Sequence, residues 1–304
     1  MIDDKYLKDN YIYYADVGAK GGVNPKWINE TKNFFSILFE PNPSSYEKLL
    51  ENKKSNEIII NSALSDKKEN ILLNICESDG ASSVFYPNYN LLNLYYNSDR
   101  FKIKNTSRIK ADTLDNQLKI NNIDDIDFLK IDVQGYELNV LKGSINSLKS
   151  IIGLEIECEI SQMYLNQPLF DNVFQFVKKY EFHLFDLKRY YWKRKVGKVN
   201  NQKKGQIIFV DTLFLKQPEY IIKEYSNDTK KLIKAFYIYL YYGYSDLSLI
   251  LLNYLQNNKI IKNDQINILK ANLINADKNY FTLPNFFGKR VLKKIFQTLF
   301  MIFS

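Results

Sequence analysis

The sequence predicts an α/β fold: a doubly wound, mostly parallel sheet with an antiparallel edge hairpin and an α-helical C-terminal extension. Three observations predict it. Continuous apolar strand segments alternate with helical segments from about Tyr11 to Lys216, the pattern of a parallel sheet covered on both faces. The last two strand segments, EFHLFDLKRYYW and QIIFVDTLFLK, follow one another without a helix, so they pair as a hairpin at one edge. After Pro218 no convincing strand remains and helical patterns take over. The expected division is a sheet domain over residues 1–217 and a helical region over 218–304.

Taken in order, IYYADVG reads as the first strand, and a Gly-rich turn leads to a short helix, PKWINETKNF. SILFEPN is the next strand, and PSSYEKLLENK is a helix opened by Pro43 and Ser44. NEIIINSAL is a third strand and ENILLNICE a fourth, extra one. Residues Ser78 to Ile109 read as irregular, with DGASSVFYPNYN as a loop. DFLKIDV (strand), YELNVLKGSINSLK (helix), SIIGLEIE (strand) and LFDNVFQFVKKY (helix) then lead into the hairpin. Beyond Pro218, KKLIKAFYIYLYYGY and SDLSLILLNYLQNN are two helices broken near Gly243, and DQINILKANLINADKNYF is a third. They form a helical hairpin with no second full repeat. Residues 234–255 match the length of a membrane span, but Gly243, Ser245 and Asp246 in their middle argue against one.

Hydrophobic residues make up 45% of the chain, enough for a substantial core, and a charged fraction of 25% suits a soluble protein. The net charge of +8 favours an anionic partner, such as a phosphorylated sugar, a lipid head group or nucleic acid, without selecting among them. Cys76 and Cys158 sit far apart in strand-like runs with no C-x-x-C, so both are expected reduced and buried, in a cytoplasmic setting. The first residues carry acids early and lack the apolar stretch of a secretory signal.

YYADVGAKGG places Asp16, Gly18, Gly21 and Gly22 where the first strand ends, and open parallel sheets bind ligands outside their carboxyl ends. Glycines there let a ligand approach the backbone. The spacing is not G-x-G-x-x-G, because Lys20 stands where the second glycine is needed, so a pyrophosphate seat is poorly supported. Glu40 closes the second strand, where an acid can accept hydrogen bonds from both ribose hydroxyls. A glycine turn plus a ribose acid fits a nucleoside without phosphates, S-adenosylmethionine above all. Asp16 would then attract its α-ammonium, and the turn's N–H groups would receive its carboxylate. A tight turn and a helix-capping acid account for the same residues without any ligand.

DVGAKGG, FEPNP, NSALSD and FLKIDVQGYELNVLKG occur in this order, and together they resemble the FkbM family of S-adenosylmethionine-dependent methyltransferases over roughly residues 10–216. FLKIDVQGYE is the most distinctive piece. The resemblance implies the class I methyltransferase fold and methylation of a hydroxyl, often on a sugar or polyketide. It also implies that Asp16, Gly18, Ala19 and Gly22 line the methionine end of the cofactor, that Glu40 holds the ribose, and that Ser62, Ala63 and Leu64 sit beside the adenine. Two positions depart from the family. Lys20 replaces a frequent Asn and would pair with the cofactor carboxylate. Gln134 replaces a usual Glu and cannot serve as a base.

Asp132 ends the strand expected beside the first, which places its carboxylate over the cofactor. There it would orient or deprotonate the acceptor hydroxyl. Capping the helix that starts near Tyr136 is its structural alternative, and Glu137 in that helix's first turn is explained by the helix dipole. In GLEIECEI, Glu155, Glu157 and Glu159 share one face. Three carboxylates are not packed unpaired into a core, so this strand is expected to emerge at the carboxyl rim. Glu155 matches an acid the family often has and is expected to hold substrate or act as base. The row with Asp132 offers oxygen ligands of the kind Mg²⁺ or Ca²⁺ takes, but self-repelling carboxylates in a solvated loop explain it as well, and no metal is expected. His183, the only histidine, reads as structural.

LKRYYWKRKVGKVNNQKKG is strongly basic, with Tyr190, Tyr191 and Trp192 interleaved. Tyr190, Tyr191, Trp192 and Arg194 are the expected acceptor-binding residues, with rings for a sugar and cations for a phosphate. A solvated hairpin gives the same pattern. Nucleic acid is a weaker fit because no RNA-binding motif accompanies the run. The tail GKRVLKKIFQTLFMIFS is basic and then apolar, and its apolar part is too short to span a bilayer. It either docks on the helical hairpin, the favoured reading, or lies in a membrane interface, which would suit a lipid-linked sugar. The expected function is O-methyl transfer from S-adenosylmethionine to a hydroxyl of a sugar, glycan or related small molecule. The rivals are a nicotinamide-dependent oxidoreductase, disfavoured by the missing G-x-G-x-x-G, and a non-catalytic methyltransferase-like scaffold, in which Asp132 and Glu155 would be dispensable.

Overall fold

The computed structural model describes residues 10–23, 27, 33–196 and 204–278. The short helix expected over PKWINETKNF, the tip of the basic hairpin and the C-terminal basic–apolar tail lie largely or wholly outside the described residues.

The main sheet uses β1 (Ile12–Val17), β2 (Phe34–Phe39), β3 (Glu57–Ile60), β7 (Phe128–Ile131), β8 (Gly153–Glu159), β9 (Phe182–Trp192) and β10 (Gln206–Lys216), in the order β3-β2-β1-β7-β8-β10-β9. All neighbours from β3 to β8 are parallel, and β10 lies antiparallel between β8 and β9, as the sequence predicts for one edge. This is the class I methyltransferase order. The chain runs outward from β1 to β3 and then returns to β7 on the other side of β1. Loops leaving β1 and β7 therefore diverge, and a crevice opens between them. Helix α1 (Pro43–Glu51) is started by Asn42, whose side chain accepts the Ser44 N–H, with Pro43 at the first helical position.

A second, three-stranded sheet, β4 (Ala63–Leu64), β6 (Ile103–Asp112) and β5 (Glu69–Cys76), sits over the carboxyl rim side of the molecule. The sequence reading leaves most of β6 irregular. IKNTSRIKAD is largely exposed until its last residues, so it carries too few apolar positions to announce itself as a strand. The expected single helix over YELNVLKGSINSLK also differs. Helix α2 (Leu114–Ile120) precedes β7, and α3 (Glu137–Lys142) follows it and stops at Gly143. A Cβ at Gly143 would lie 2.0 Å from the Ser65 carbonyl oxygen, so the backbones meet where the helix breaks. Helix α4 (Phe170–Lys178) completes this face of the sheet and shares a core with Ala15, Ile37, Leu129, Ile131 and Leu154.

The opposite face is covered by the C-terminal helices α5 (Pro218–Tyr225), α6 (Thr229–Tyr242), α7 (Ser245–Asn257) and α8 (Asn263–Lys278). Gly243, with φ of 86°, ends α6 in the left-handed conformation, at the expected break. Among the described residues no helix is long and apolar enough to cross a membrane. Leu232, Phe236 and Tyr239 of α6 share one core with Ile12, Tyr14, Phe34, Phe128 and Leu215 of the sheet. Tyr241 stacks on Trp27 at 4.3 Å and Tyr242 on Phe128 at 5.1 Å. Lys231 and Lys234 both reach the buried carboxylate of Asp127, each at 2.9 Å. The helical region is thus a layer of the fold and supplies the cover for one sheet face. Both cysteines are buried and unpaired, as expected.

Candidate active site

A cleft of about 470 Å³ opens at the carboxyl ends of β1, β2 and β7. Its lining contains Asp16, Gly18, Ala19, Lys20, Gly22, Glu40, Ser62, Ala63 and Leu64, the expected cofactor positions, together with Asp132. Gly18 shows why the first strand must end in glycine. Its φ is 86°, and a Cβ there would lie 2.1 Å from the Asp132 carbonyl oxygen. That approach is fixed by the Asp132 N–H, which donates to the Val17 carbonyl at 3.0 Å. The N–H groups of Gly18 and Ala19 are spent on the Phe39 carbonyl, and that of Gly22 on Ala19. Among the described residues the backbone N–H groups of Lys20 and Gly21 have no protein acceptor.

The charges around the cleft are arranged in layers. Asp16 is buried at the floor, where Oδ1 accepts from Lys130 Nζ at 3.1 Å and Oδ2 from the Tyr14 hydroxyl at 3.2 Å. Burial pushes its carboxyl above the usual range, and Lys130 only partly offsets this. Burial alone would lower Lys130, but the carboxylates of Asp16 and Asp132 hold it above its ordinary value. The floor therefore carries a fixed ion pair, with each Asp16 oxygen already engaged by one donor. Glu40 is also buried, which raises its pKa, and Oε1 accepts the Asn42 N–H at 2.8 Å. Its other carboxylate oxygen has no protein donor among the described residues. Lys20 pairs with Asp79 at 3.3 Å, tying the β1 turn to the loop on the far side of the cleft.

Asp132 belongs to a network that the sequence did not show. Its Oδ1 accepts from Gln134 Nε2 at 3.0 Å, and the same amide nitrogen donates to Glu157 Oε1 at 2.7 Å. Gln134 Oε1 accepts the Tyr164 hydroxyl at 3.1 Å. Gln134 has a φ of 56°, a left-handed conformation that costs about 1–3 kcal/mol for a non-glycine residue and collects at functional sites. Helix α3 is not capped by Asp132. The preceding cap residue, Tyr136, makes no side-chain cap, and the Glu137 carboxylate turns back to accept the N–H groups of Val133 and Gly135 at 3.0 and 3.1 Å. Asp132 Oδ2 has no protein donor among the described residues. Burial and the neighbouring Asp132 and Glu137 push the Glu157 carboxyl up to about 9, and burial pushes Glu137 up to about 7. Among the described residues no group of His, Cys, Asp or Glu has the arrangement of a metal site.

Glu155 is not brought to the cleft. It lies opposite Lys130 in the register of β7 and β8, and its Oε2 accepts the Tyr242 hydroxyl of α6 at 2.9 Å. Glu157, one step further along the same face, lies past the end of β7 at Ile131 and meets Asp132 through Gln134. The three glutamates do share a face, but the row runs from beneath α6 to the rim, and only the register selects Glu157. In the hairpin, Tyr190 stacks on Phe209 at 4.3 Å and donates its hydroxyl to Asp211 at 2.6 Å, so its ring and hydroxyl are committed to the sheet. Tyr191 and Trp192 reach the carboxyl rim at the end of β9, where Arg194 lies over the Tyr95 ring at 5.7 Å. His183 sits near the opposite end of β9, exposed and away from the cleft.

Among curated proteins none matches the sequence significantly. Solved structures give distant likenesses. A precorrin-6y C5,15-methyltransferase from Geobacter metallireducens has 11% identity and a TM-score of 0.37, covering 68% of this chain and 81% of its own. An uncharacterised protein from Listeria monocytogenes has 10% identity and a TM-score of 0.36, covering 90% and 96%. The TYW2 protein of M. jannaschii, solved with AdoMet, has 14% identity and a TM-score of 0.29, covering 70% and 76%. The family match is of a different order: the profile of the methyltransferase FkbM domain matches residues 16–184, more than half of the chain and the span that builds the cleft. The chain belongs to the FkbM methyltransferase family.

Proposed function

We propose that the protein is an S-adenosylmethionine-dependent O-methyltransferase acting on a hydroxyl of a sugar, glycan or related small molecule. The observation that carries this reading is the state of Asp132: a carboxylate beside the cleft, relieved of helix capping by Glu137, with one oxygen held by Gln134 and the other without a donor among the described residues. The residues present fit the cofactor. Among the described residues one Glu40 carboxylate oxygen has no donor and the N–H groups of Lys20 and Gly21 have no acceptor, so these would meet ribose hydroxyls and the cofactor carboxylate, and the Gly18 turn places no side chain against Asp132. Ala63, Leu64, Ile71 and Val84 give an apolar wall suited to a base.

Bound there, S-adenosylmethionine supplies a sulfonium-borne methyl group for in-line transfer to a nucleophile. Asp132 Oδ2 accepts the proton of the acceptor hydroxyl, while Gln134 fixes the carboxylate through Oδ1. Glu157, pushed up to about 9 first by burial and then by Asp132 and Glu137, holds its own proton at neutral pH. Ile71, Leu73 and Ile109 of the second sheet and Asp79, Gly80 and Ser82 of the following loop line the far side of the cleft. The acceptor enters along the rim, where the aromatic end of β9 lies, and a phosphorylated or lipid-linked sugar suits its charge. No observation favours the nicotinamide reading, and the glycine turn lacks a pyrophosphate seat. The test is transfer of label from methyl-labelled S-adenosylmethionine into sugar fractions. Asp132→Asn is expected to lower transfer by about 10²–10⁴-fold while calorimetric cofactor binding persists. Equal transfer by the variant would leave Asp132 without its role, and labelling of no hydroxyl-bearing fraction would refute O-methylation.

A further inference from the structure

A second hollow, of about 230 Å³, lies on the same rim and is lined by Tyr96, Asn97, Arg100, Tyr191, Trp192 and Lys193. Its two walls come from distant parts of the chain and are joined. Residue Tyr95 forms a β-bridge with Arg194, the Lys195 N–H donates to the Leu94 carbonyl at 2.8 Å, and Lys195 Nζ donates to the Ser98 hydroxyl at 2.9 Å. Asn97, with φ of 60°, turns the chain so that Arg100 follows within one turn.

Arg100 is held in an unusual way. Its guanidinium carbon lies 4.7 Å from the Phe101 ring centre and 4.8 Å from that of Trp192. Its backbone N–H donates to the Asn97 carbonyl at 3.4 Å, but among the described residues its guanidinium has no carboxylate partner and no hydrogen-bond acceptor. Two rings thus fix the plane of a cation whose hydrogen-bonding fork is unspent, which is the arrangement that receives a planar face of phosphate oxygens. Lys193 brings a second positive charge to the same hollow, and its described lining residues include no carboxylate. The Tyr96 and Tyr191 rings, both about half exposed, flank it with faces on which a sugar ring stacks. A chain of contacts leads from here to the reacting carboxylate. Trp192 packs on Phe101 at 6.0 Å, Phe101 on Tyr164 at 6.1 Å, and Tyr164 donates to the amide that holds Asp132.

We propose that this hollow binds the phosphate of a phosphorylated sugar acceptor, with Arg100 and Lys193 on the anion and the tyrosine rings on the sugar, and so sets which hydroxyl meets Asp132. The inference rests on the O-methyltransferase reading, but its binding step is measured without the methyl donor. The full chain is titrated with glucose 1-phosphate, glucose, glucuronate and inorganic phosphate, following Trp192 fluorescence, with Trp192→Phe to identify the signal. Glucose 1-phosphate is expected to bind at least tenfold tighter than glucose or glucuronate. Arg100→Gln should weaken it at least tenfold, Arg100→Lys less, and Lys102→Gln, whose cation is paired with Asp99, not at all. A polyprenyl-phosphate glucose in detergent separates the two sources of such a phosphate: Arg100-dependent binding of the soluble compound assigns a free sugar phosphate, and binding of the polyprenyl compound alone assigns a lipid-linked one. Indifference to phosphate, or to Arg100, with both compounds overturns the proposal. Loss of S-adenosylmethionine binding with sugar-phosphate binding intact would instead overturn methyl transfer and leave this site standing.

Discussion

Glu157 is the residue whose environment has the clearest consequence. Its carboxyl is pushed up to about 9, first by burial and then by Asp132 and Glu137, whereas in the unfolded chain it has an ordinary value near 4.5. The folded state therefore keeps a proton that the unfolded state has released, and stability falls as pH rises from about 4.5 to about 9. Glu157→Gln keeps the shape and a hydrogen-bonding oxygen for Gln134, yet has nothing to titrate. Its thermal midpoint is expected to exceed the parent's above neutral pH and to converge with it near pH 5, measured by melts across that range. Parallel slopes for the two proteins would show that Glu157 is not the proton holder. Asp16, Gly18, Glu40 and Asp132 were legible in the sequence because each sits within a contiguous motif at a strand end. Glu157, Gln134 and Arg100 were not, since their partners lie on other strands or loops. The period of two put Glu155 and Glu157 on one face, and only the pairing of β7 with β8 decides which of them reaches the rim.

At the scale of elements, the site depends on how closely β1 and β7 approach at their ends. The turn after β1 passes the end of β7 with no room for a side chain at Gly18, where a Cβ would meet backbone at 2.1 Å and the φ of 86° is already unfavourable for other residues. Gly18→Ala must therefore move the turn away from Asp132. The expected outcome is loss of cofactor binding by calorimetry, with a stability cost of about 1–3 kcal/mol in urea unfolding, because the rest of the sheet does not use this contact. Retained affinity would mean that the turn has slack the geometry does not show. Strands and helices with continuous apolar faces were read correctly from periodicity. The second sheet was not, because β6 turns one face to water and pairs with an upstream partner, β5, with Ile103 opposite Cys76 and Ala111 opposite Glu69. The break of α3 at Gly143 was equally hidden, since the reason is a backbone contact with Ser65 in another layer.

For the whole molecule, the helices after Pro218 decide whether the sheet is a folded object at all. A parallel sheet needs cover on both faces. Here α2, α3 and α4 cover one face, while on the other the aromatic floor of Tyr14, Phe34 and Phe128 packs under α6. The attachment is polar as well as apolar. Asp127, buried at the foot of β7, accepts from Lys231 and Lys234 and also from the Tyr13 backbone N–H at 2.9 Å. Tyr242 at the other end of α6 donates to Glu155, whose carboxylate lies opposite the lysine that holds Asp16. Removing residues 218–304 would strip an apolar face much larger than the few hundred Å² that soluble monomers expose, and would leave Asp127 buried beside no cation. The expected outcome for a chain ending at residue 217 is aggregation on expression, with no cooperative melt and no cofactor binding. Adding the 218–304 segment as a separate chain during refolding should recover soluble complex, since the contacts between them are a core cut in two. A soluble, cooperatively melting 1–217 fragment that binds S-adenosylmethionine would show instead that the helices are an appendage, and that the ion pairs at Asp127 form only after the sheet has folded without them.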